Sequence, residues 1–224
     1  MWKELKQIWF SDNLLSESWD MSYEALKIDA EMFDDAVSTL WGGDQSATQK
    51  LIFKKDKLIN KYERDIRRKV LTHLSVQQGE GISAGLILST VIVDIERIGD
   101  YIKNIVDLAE MHPGELGDKE IRSTLSHIES AIRKSFKQAQ TCLEEDDEDI
   151  AFELYQDTRE LGKTCDENIR ALIQSEAQRD SSYIVYALYF RYLKRINAHL
   201  RNMISSVINP YDRIGYKPKS DLNT

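Results

Sequence analysis

The chain has 224 residues, of which 42% are hydrophobic and 30% charged, and a formal net charge of −8. This excess of acidic residues argues against a nucleic-acid partner, because phosphate binding depends on clustered Lys and Arg. No apolar run approaches the roughly 18–20 residues that a membrane-spanning helix needs, so we do not expect the protein to be inserted in a bilayer. Two isolated cysteines, Cys142 and Cys165, suit neither a disulfide framework nor a thiolate metal site, and we expect a cytoplasmic location.

The chain opens with "MWKELKQIWF", in which Trp2, Leu5 and Ile8 or Trp9 fall on one side of a helix. Its two lysines and one glutamate do not make the basic face that lipid binding requires. We expect this segment to pack against its own bundle or against a second subunit, since large apolar side chains near a chain end need cover. The oligomeric state that we predict is a homodimer.

Turn-forming residues divide the rest of the chain into six segments. The breaks fall at "WGGD" (41–44), "QQGEGIS" (77–83), "MHPGELGD" (111–118) and "CLEEDDED" (142–149). We predict helices at about 12–40, 45–77, 82–111, 118–143, 147–176 and 180–208. The short loops between them make neighbouring helices antiparallel, and the fold class that we predict is all-α.

The hydrophobic pattern within these segments is helical. In the third segment Ile87, Val91, Ile95 and Ile98 recur every three or four residues, which places them on one stripe. The stretch "YIVYALYF" (183–190) has a β-like composition, but it continues without a break into a longer helical pattern. One helix of full length accounts for both parts.

The two halves of the chain resemble each other. Pro113 separates three predicted helices from three, and an offset of 98 residues carries Arg97 and Ile98 onto identical residues of the last helix. An offset of 103 residues relates the second and fifth predicted helices in the same way. We predict two antiparallel three-helix bundles related by an internal repeat: a first repeat with an N-terminal extension at 1–112, and a second with a C-terminal tail at 113–224.

Glu96 and Asp100 carry the same charge one helical turn apart, an arrangement that is unfavourable by roughly 0.2–0.5 kcal/mol. At about 100° per residue they point away from the isoleucine stripe. Asp56, Asn60 and Glu63 share one flank of the preceding helix, which should pack beside this one. The two helices would then form a cluster of oxygen ligands that suits Mg²⁺, Mn²⁺, Ca²⁺ or iron, and a bound cation would remove the repulsion.

Two other interpretations stay open. Acidic residues on an outer helix face are usually solvated, and Arg97 and Lys103 can offset the charge locally. A di-iron enzyme is the weaker alternative, because its sites need Glu-x-x-His elements and no histidine of this chain has a Glu three residues before it. The sequence also lacks a Gly-rich phosphate loop, so it indicates no catalytic site.

The stretch "VDIERIGDYIKNIVDLAE" (93–110), with "ERIGD" followed by an asparagine four residues later, resembles the signature of the PhoU-like proteins. In that family of phosphate-responsive regulators, each of two three-helix repeats carries an E/D-x-x-x-D element on its second helix and another on its third. These elements hold multinuclear iron or zinc clusters at the surface. The resemblance implies a metal site formed by Asp56 and Asn60 on one helix and by Glu96 and Asp100 on the next. In comparison with the family pattern, Asn60 keeps an oxygen donor but loses a charge.

The second repeat departs from this pattern. At the offsets that relate the halves, the four positions are occupied by Arg159, Lys163, Lys194 and Ala198. Three positive charges and a methyl group do not bind a cation, so we expect metal in the first repeat alone. Glu153 and Asp157 have the spacing of a shifted site, but acids are abundant in that helix, and His199 is a candidate remnant ligand.

These features predict a two-repeat PhoU-like accessory protein, not an enzyme, that damps or senses phosphate transport. The resemblance implies partners such as the ATP-binding subunit of a phosphate importer, a sensor histidine kinase or a sodium/phosphate cotransporter. The expected metal is iron, zinc, manganese or magnesium, held by Asp56, Asn60, Glu63, Glu96 and Asp100. The main alternative is a metal-free helical adapter that keeps the fold.

Overall fold

All regular secondary structure in the part of the chain that the structure, a computed structural model, describes is helical. That part comprises residues 2–11, 13–77, 81–112, 114–145, 147–175 and 180–218, without the side chains of Trp2, Trp9 and Ser11. The helices are α1 (Trp2–Ser11), α2 (Asn13–Leu40), α3 (Gln45–Val76), α4 (Ile82–Met111), α5 (Lys119–Glu145), α6 (Glu148–Gln174) and α7 (Ser182–Ile208), followed by a 3-10 turn at Tyr211–Arg213. Among these residues, no helix is both long and apolar enough to cross a bilayer.

The predicted all-α fold is confirmed. Each of the six predicted helices agrees with one of α2 to α7 to within two residues at either end. The N-terminal segment forms a separate helix, α1. Pro113, which marks the predicted boundary between the halves, lies outside the described residues.

Three helices begin at an aspartate whose side chain accepts hydrogen bonds from unpaired backbone amides. Asp44 accepts from the amide of Ala47 at 3.3 Å at the start of α3. Asp118 accepts from two first-turn amides of α5, both at 3.0 Å, and Asp147 does the same for α6 at 2.9 Å. Such caps stabilise the first turn and determine where each helix begins. The Asp44 cap therefore sets the start of α3, which carries three of the five predicted metal ligands.

The first bundle consists of α2, α3 and α4, which all pack against one another. The isoleucine stripe of α4 lies at its centre, where Ile95, Ile98 and Ile102 are fully buried, as the periodicity predicts. Helix α1 lies against α2 and α4 with Leu5 buried. The N-terminal segment thus packs on its own bundle, while Phe10 of the same helix is 58% exposed.

The second bundle consists of α5, α6 and α7, and it joins the first through α7 on α4 and α5 on α2. Positions that are equivalent in the internal repeat are in contact in both bundles. Ile59 Cδ1 lies 3.7 Å from the point that a Cβ on Gly99 would occupy, and Asn197 Nδ2 lies 3.8 Å from the corresponding point on Gly162. The offsets of 103 and 98 residues carry Ile59 to Gly162 and Gly99 to Asn197. Helix α6 therefore packs on α7 with the same pair of positions in contact as α3 on α4.

A buried carboxylate ties the two bundles together. Glu129 of α5 is 5% exposed, and its Oε1 accepts hydrogen bonds from Trp41 Nε1 at 2.8 Å and from the Tyr189 hydroxyl at 2.7 Å. Trp41 follows α2 of the first bundle, whereas Glu129 and Tyr189 belong to the second. Burial and the Glu129 carboxylate hold the pKa of Tyr189 well above its ordinary value, so its hydroxyl keeps the proton that it donates.

We expect Glu129→Ala to lower the free energy of unfolding by about 2–4 kcal/mol, because two buried donors lose their acceptor. Glu129→Gln keeps an acceptor oxygen in the same place and serves as the control, with a smaller loss. Urea unfolding followed by circular dichroism measures both variants. Equal losses in the two would contradict the assignment of the stabilisation to these hydrogen bonds.

Candidate metal centre

Two of the predicted ligands, Asp56 of α3 and Asp100 of α4, meet at a lysine side chain. Lys103 Nζ lies 2.8 Å from Asp56 Oδ1 and 2.9 Å from Asp100 Oδ1. The Asp56 side chain is 9% exposed and that of Asp100 is 30% exposed. The packing of α3 on α4 thus brings these two carboxylates into contact with the same ammonium group.

Glu96 lies one turn before Asp100 on α4, with its side chain 14% exposed. Arg97 contacts both carboxylates, with Nη1 3.0 Å from Asp100 Oδ2 and Nε 3.6 Å from Glu96 Oε2. Burial, and after it the negative charge of Asp100, raises the pKa of Glu96. The repulsion expected from the sequence is therefore present, because Arg97 offsets it only in part.

The remaining two predicted ligands line the α3 side. Asn60 Nδ2 donates to Asp56 Oδ2 at 3.1 Å and so orients that carboxylate. Glu63 forms an ion pair with Arg67 at 2.9 Å, and its charge also contributes to the raised pKa of Glu96. We call the five predicted ligands together the acidic seam: Asp56, Asn60, Glu63, Glu96 and Asp100.

The structure adds Asp29 of α2, which the sequence analysis missed. Its side chain is fully buried, and neither carboxylate oxygen has a hydrogen-bond partner among the described residues. Oδ1 lies 3.1 Å from the point that a Cβ on Gly99 would occupy, and Asp56 Oδ1 lies 3.9 Å from the same point. Gly99 lies between Glu96 and Asp100 on α4, so Asp29 lies next to the acidic seam on its buried side.

A signal for Asp29 exists in the sequence. Apolar residues of α2 recur at helical spacing, as at Leu26 and Phe33, and both are fully buried. Asp29 lies between them at a spacing of three and four residues, where the pattern calls for an apolar side chain. A carboxylate at a core position of a helix next to "ERIGD" is the feature that would have identified it.

The cluster is short of positive charge. Burial, and then the charges of Asp56, Glu96 and Asp100, raise the pKa of Asp29 well above its ordinary value. Burial alone would lower the pKa of Lys103, but its hydrogen bonds to Asp56 and Asp100 outweigh this effect and raise it. The carboxylates are Asp29, Asp56, Glu63, Glu96 and Asp100, and the cations in contact with them are Lys103, Arg97 and Arg67. Two negative charges therefore stay uncompensated when all of these groups are ionised.

The residues present fit a hard metal ion, although their side chains do not surround one as they stand. In the parts of the chain described, no three His, Cys, Asp or Glu side chains converge in an arrangement that would hold a metal ion. Lys103 and Arg97 already contact oxygens of Asp56 and Asp100. Mg²⁺, Mn²⁺ and iron bind oxygen donors, and every predicted ligand here offers oxygen. The buried Asp29 adds two carboxylate oxygens that have no partner among the described residues.

The corresponding seam of the second bundle is built from ion pairs. Lys194, which stands where Glu96 stands, contacts Asp166 Oδ1 at 2.6 Å, and Lys163 contacts Glu160 at 2.7 Å. His199 contacts the first bundle, because its Nδ1 lies 2.7 Å from Asp94 Oδ1 on α4. The second bundle thus keeps the helix packing and replaces the acidic cluster.

The ordinary pKa of Asp29 is 3.8, and its pKa in the folded protein is well above that value. Between the two, the folded state binds more protons than the unfolded state, so we expect the metal-free protein to lose stability as the pH rises. Asp29→Asn removes the charge and should stabilise the metal-free protein at neutral pH by about 1–3 kcal/mol. Asp20→Asn, on an exposed position of the same helix, is the control. Urea unfolding across acidic and neutral pH in a chelating buffer measures the effect, and a destabilised Asp29→Asn protein at neutral pH would contradict it.

Comparison with known proteins bears on both the fold and the seam. Residues 23–109 match the family model of the PhoU domain. PhoU from Pseudomonas aeruginosa has a similar structure, with a TM-score of 0.78 and 22% identity over 87% of this chain and 95% of that chain. The phosphate transport system regulatory protein PhoU from Streptococcus pneumoniae has a TM-score of 0.75 and 15% identity over 86% and 92%.

No curated protein matches the chain by sequence. The two structural likenesses show the fold, and the family match covers the α2–α4 region that contains Asp29 and the acidic seam. The resemblance drawn from "ERIGD" is thereby confirmed. The chain therefore contains a PhoU domain at residues 23–109 and has the fold of the PhoU proteins.

Proposed function

We propose that this chain regulates phosphate uptake or phosphate signalling through contact with another protein. The observation that carries the proposal is the PhoU domain at residues 23–109 within a chain of PhoU fold. The similar protein from Streptococcus pneumoniae is described as a regulatory protein of a phosphate transport system. The partner would be a phosphate transporter subunit or a sensor kinase, and the chain would act in the cytoplasm without catalysing a reaction.

We also propose that the first repeat binds one divalent or iron-type metal ion. The ligands would be Asp29, Asp56, Glu96 and Asp100, with Asn60 and Glu63 beside them. The cluster has more carboxylates than cations, which favours the binding of a positive ion, and a metal would supply the partners that the Asp29 oxygens lack. Iron, manganese and magnesium suit these oxygen donors better than zinc does.

A metal-free adapter of PhoU fold is the second candidate. One observation favours it: Lys103 and Arg97 already contact the carboxylates of Asp56 and Asp100. In that case the Asp29 carboxyl would be protonated, as its raised pKa favours, and no metal ion would neutralise it. The two candidates differ in a single measurable quantity, the metal content of the purified protein.

A homodimer completes the proposal. Phe10 is 58% exposed, Val76 69% and Ile82 49%, and the last two flank the turn between α3 and α4. Exposed apolar side chains of this size are typical of protein contacts where they form a patch. The side chains of Trp2 and Trp9, which the sequence suggests as contributors, lie outside those that the structure describes.

Deleting the gene from its source organism should raise the uptake of radiolabelled phosphate several-fold in phosphate-rich medium, because a regulator that damps transport is lost. A plasmid copy of the wild-type gene should restore the parental rate. Uptake and phosphate-dependent gene expression that both match the parent in rich and poor medium would contradict the proposed function.

We expect the double variant Glu96→Gln/Asp100→Asn to lose metal binding, because it removes two of the charges that attract the cation. The matched control is Glu153→Gln/Asp157→Asn, which changes the same residue types at the same spacing on α6 and should bind as wild type does. Elemental analysis and calorimetric titration with iron, manganese and zinc measure the stoichiometry. Full stoichiometry in the first variant would refute the site, and loss of metal in Lys194→Ala would place it in the second repeat.

A further inference from the structure

Lys103 lies at the point that a metal ion shared by Asp56 and Asp100 would occupy. Its Nζ is 2.8 Å from Asp56 Oδ1 and 2.9 Å from Asp100 Oδ1. Divalent ions in oxygen sites lie about 2.0–2.6 Å from their ligands, so an ammonium that bridges two carboxylates at these distances fills nearly the same space. A metal ion and this ammonium cannot both take these two oxygens.

We propose that Lys103 is the resident cation of the acidic seam and that a metal ion binds there only when Lys103 withdraws. The inference rests on the metal site proposed above and adds a competitor that the chain itself supplies. The centre is then an exchange site, with an ammonium group in one state and a metal ion in the other. Lys103 also sets the affinity, because the metal must displace it.

The position of Lys103 is built into helix α4. Lys103 lies three residues after Asp100 and therefore on the same face of the helix. Its side chain is only 20% exposed, and Asn60 holds the other oxygen of Asp56, which keeps that carboxylate turned towards the ammonium. The lysine is thus a fixed part of the seam and differs from the solvated lysines of the outer helix faces.

The structure also contains a place for the withdrawn side chain. An open groove of about 390 Å³ adjoins the seam, and its walls include Asp100, Lys103 and Asp107. Asp107 lies one turn beyond Lys103 on α4 and is the next carboxylate within the groove. Burial raises the pKa of Asp107 while the charge of Lys103 lowers it, so the two groups already attract each other. Movement of Nζ away from Asp56 and Asp100 towards Asp107 would give the ammonium group a new carboxylate partner.

The exchange releases one oxygen each from Asp56 and Asp100 beside the unpartnered oxygens of Asp29. These three groups and Glu96 would then be the ligands of the metal ion. Because the groove is open to solvent, the two states also differ in the charge that α4 presents at the surface. A partner protein that contacts this groove would distinguish the metal-bound form from the lysine-bound form.

The first test compares the affinities of two variants for Mn²⁺ by calorimetry. Lys103→Met should bind about tenfold more tightly than wild type or better, because a competing unit charge a few ångströms away is removed. Arg97→Met removes a cation that also contacts Asp100 but does not bridge to Asp56, and its gain should be clearly smaller. Equal gains would mean that only long-range charge matters and would overturn the displacement.

The groove is tested with Asp107→Asn, which removes the alternative partner. This variant should weaken Mn²⁺ binding in the wild-type background and have little effect in the Lys103→Met background, where no lysine needs a new partner. An equal loss in both backgrounds would show that Asp107 acts only through its own charge and would overturn the role of the groove.

The second test uses the wild-type protein. Acetylation by an amine reagent, located by mass spectrometry, should increase at Lys103 when Mn²⁺ is added. Lys55 is the internal control, because it is also 20% exposed and contacts two carboxylates, those of Glu31 and Asp35, and its labelling should not change. Metal binding without any change at Lys103 would overturn the proposal.

The outcomes separate this inference from the proposed function. Metal binding by Lys103→Met but not by wild type would show that Lys103 blocks the site permanently and would overturn the exchange. If neither protein binds Mn²⁺, iron or zinc, the exchange and the metal site are both wrong. Regulation of phosphate uptake would then still stand or fall on the gene deletion.

Discussion

The burial of helix α4 is the constraint on which the rest of the structure depends. Its isoleucine stripe packs against α2 and α3, while α7 of the second bundle covers a further part of the helix. Because α2, α3 and α7 cover most of α4, several of its acidic residues lie in the seams between helices. Gly99 makes the close approach of Asp29 possible, since a Cβ there would lie 3.1 Å from Asp29 Oδ1.

This packing concentrates negative charge that an isolated helix would disperse into solvent. The free energy of apolar burial is distributed over the whole core, at about 25 cal/mol per Å², and it holds the carboxylates together against their mutual repulsion. Burial, and after it the charges of the neighbouring carboxylates, raise the pKa of Asp29 and that of Glu96. The assembled carboxylates attract positive charge, and Lys103 is the cation that contacts both Asp56 and Asp100.

The comparison of the two bundles separates folding from function. Contacts between equivalent positions, Ile59 with Gly99 and Gly162 with Asn197, occur in both. The seam of the second bundle contains the Lys194–Asp166 ion pair, in which the charges balance. The fold therefore does not require an acidic cluster, and the unbalanced charge of the first bundle points to a role other than stability.

The sequence by itself determined the helices, their ends, the buried stripe of α4 and the acid pair of "ERIGD", because a period of 3.6 residues and capping by residues such as Asp44 are local properties of the chain. The tertiary structure alone decided that Asp29 lies under Gly99 and that Lys103 bridges two helices. Such contacts depend on the rotation and axial position of one helix against another. Interdigitation of many side chains sets both, and no single stretch of sequence records the result.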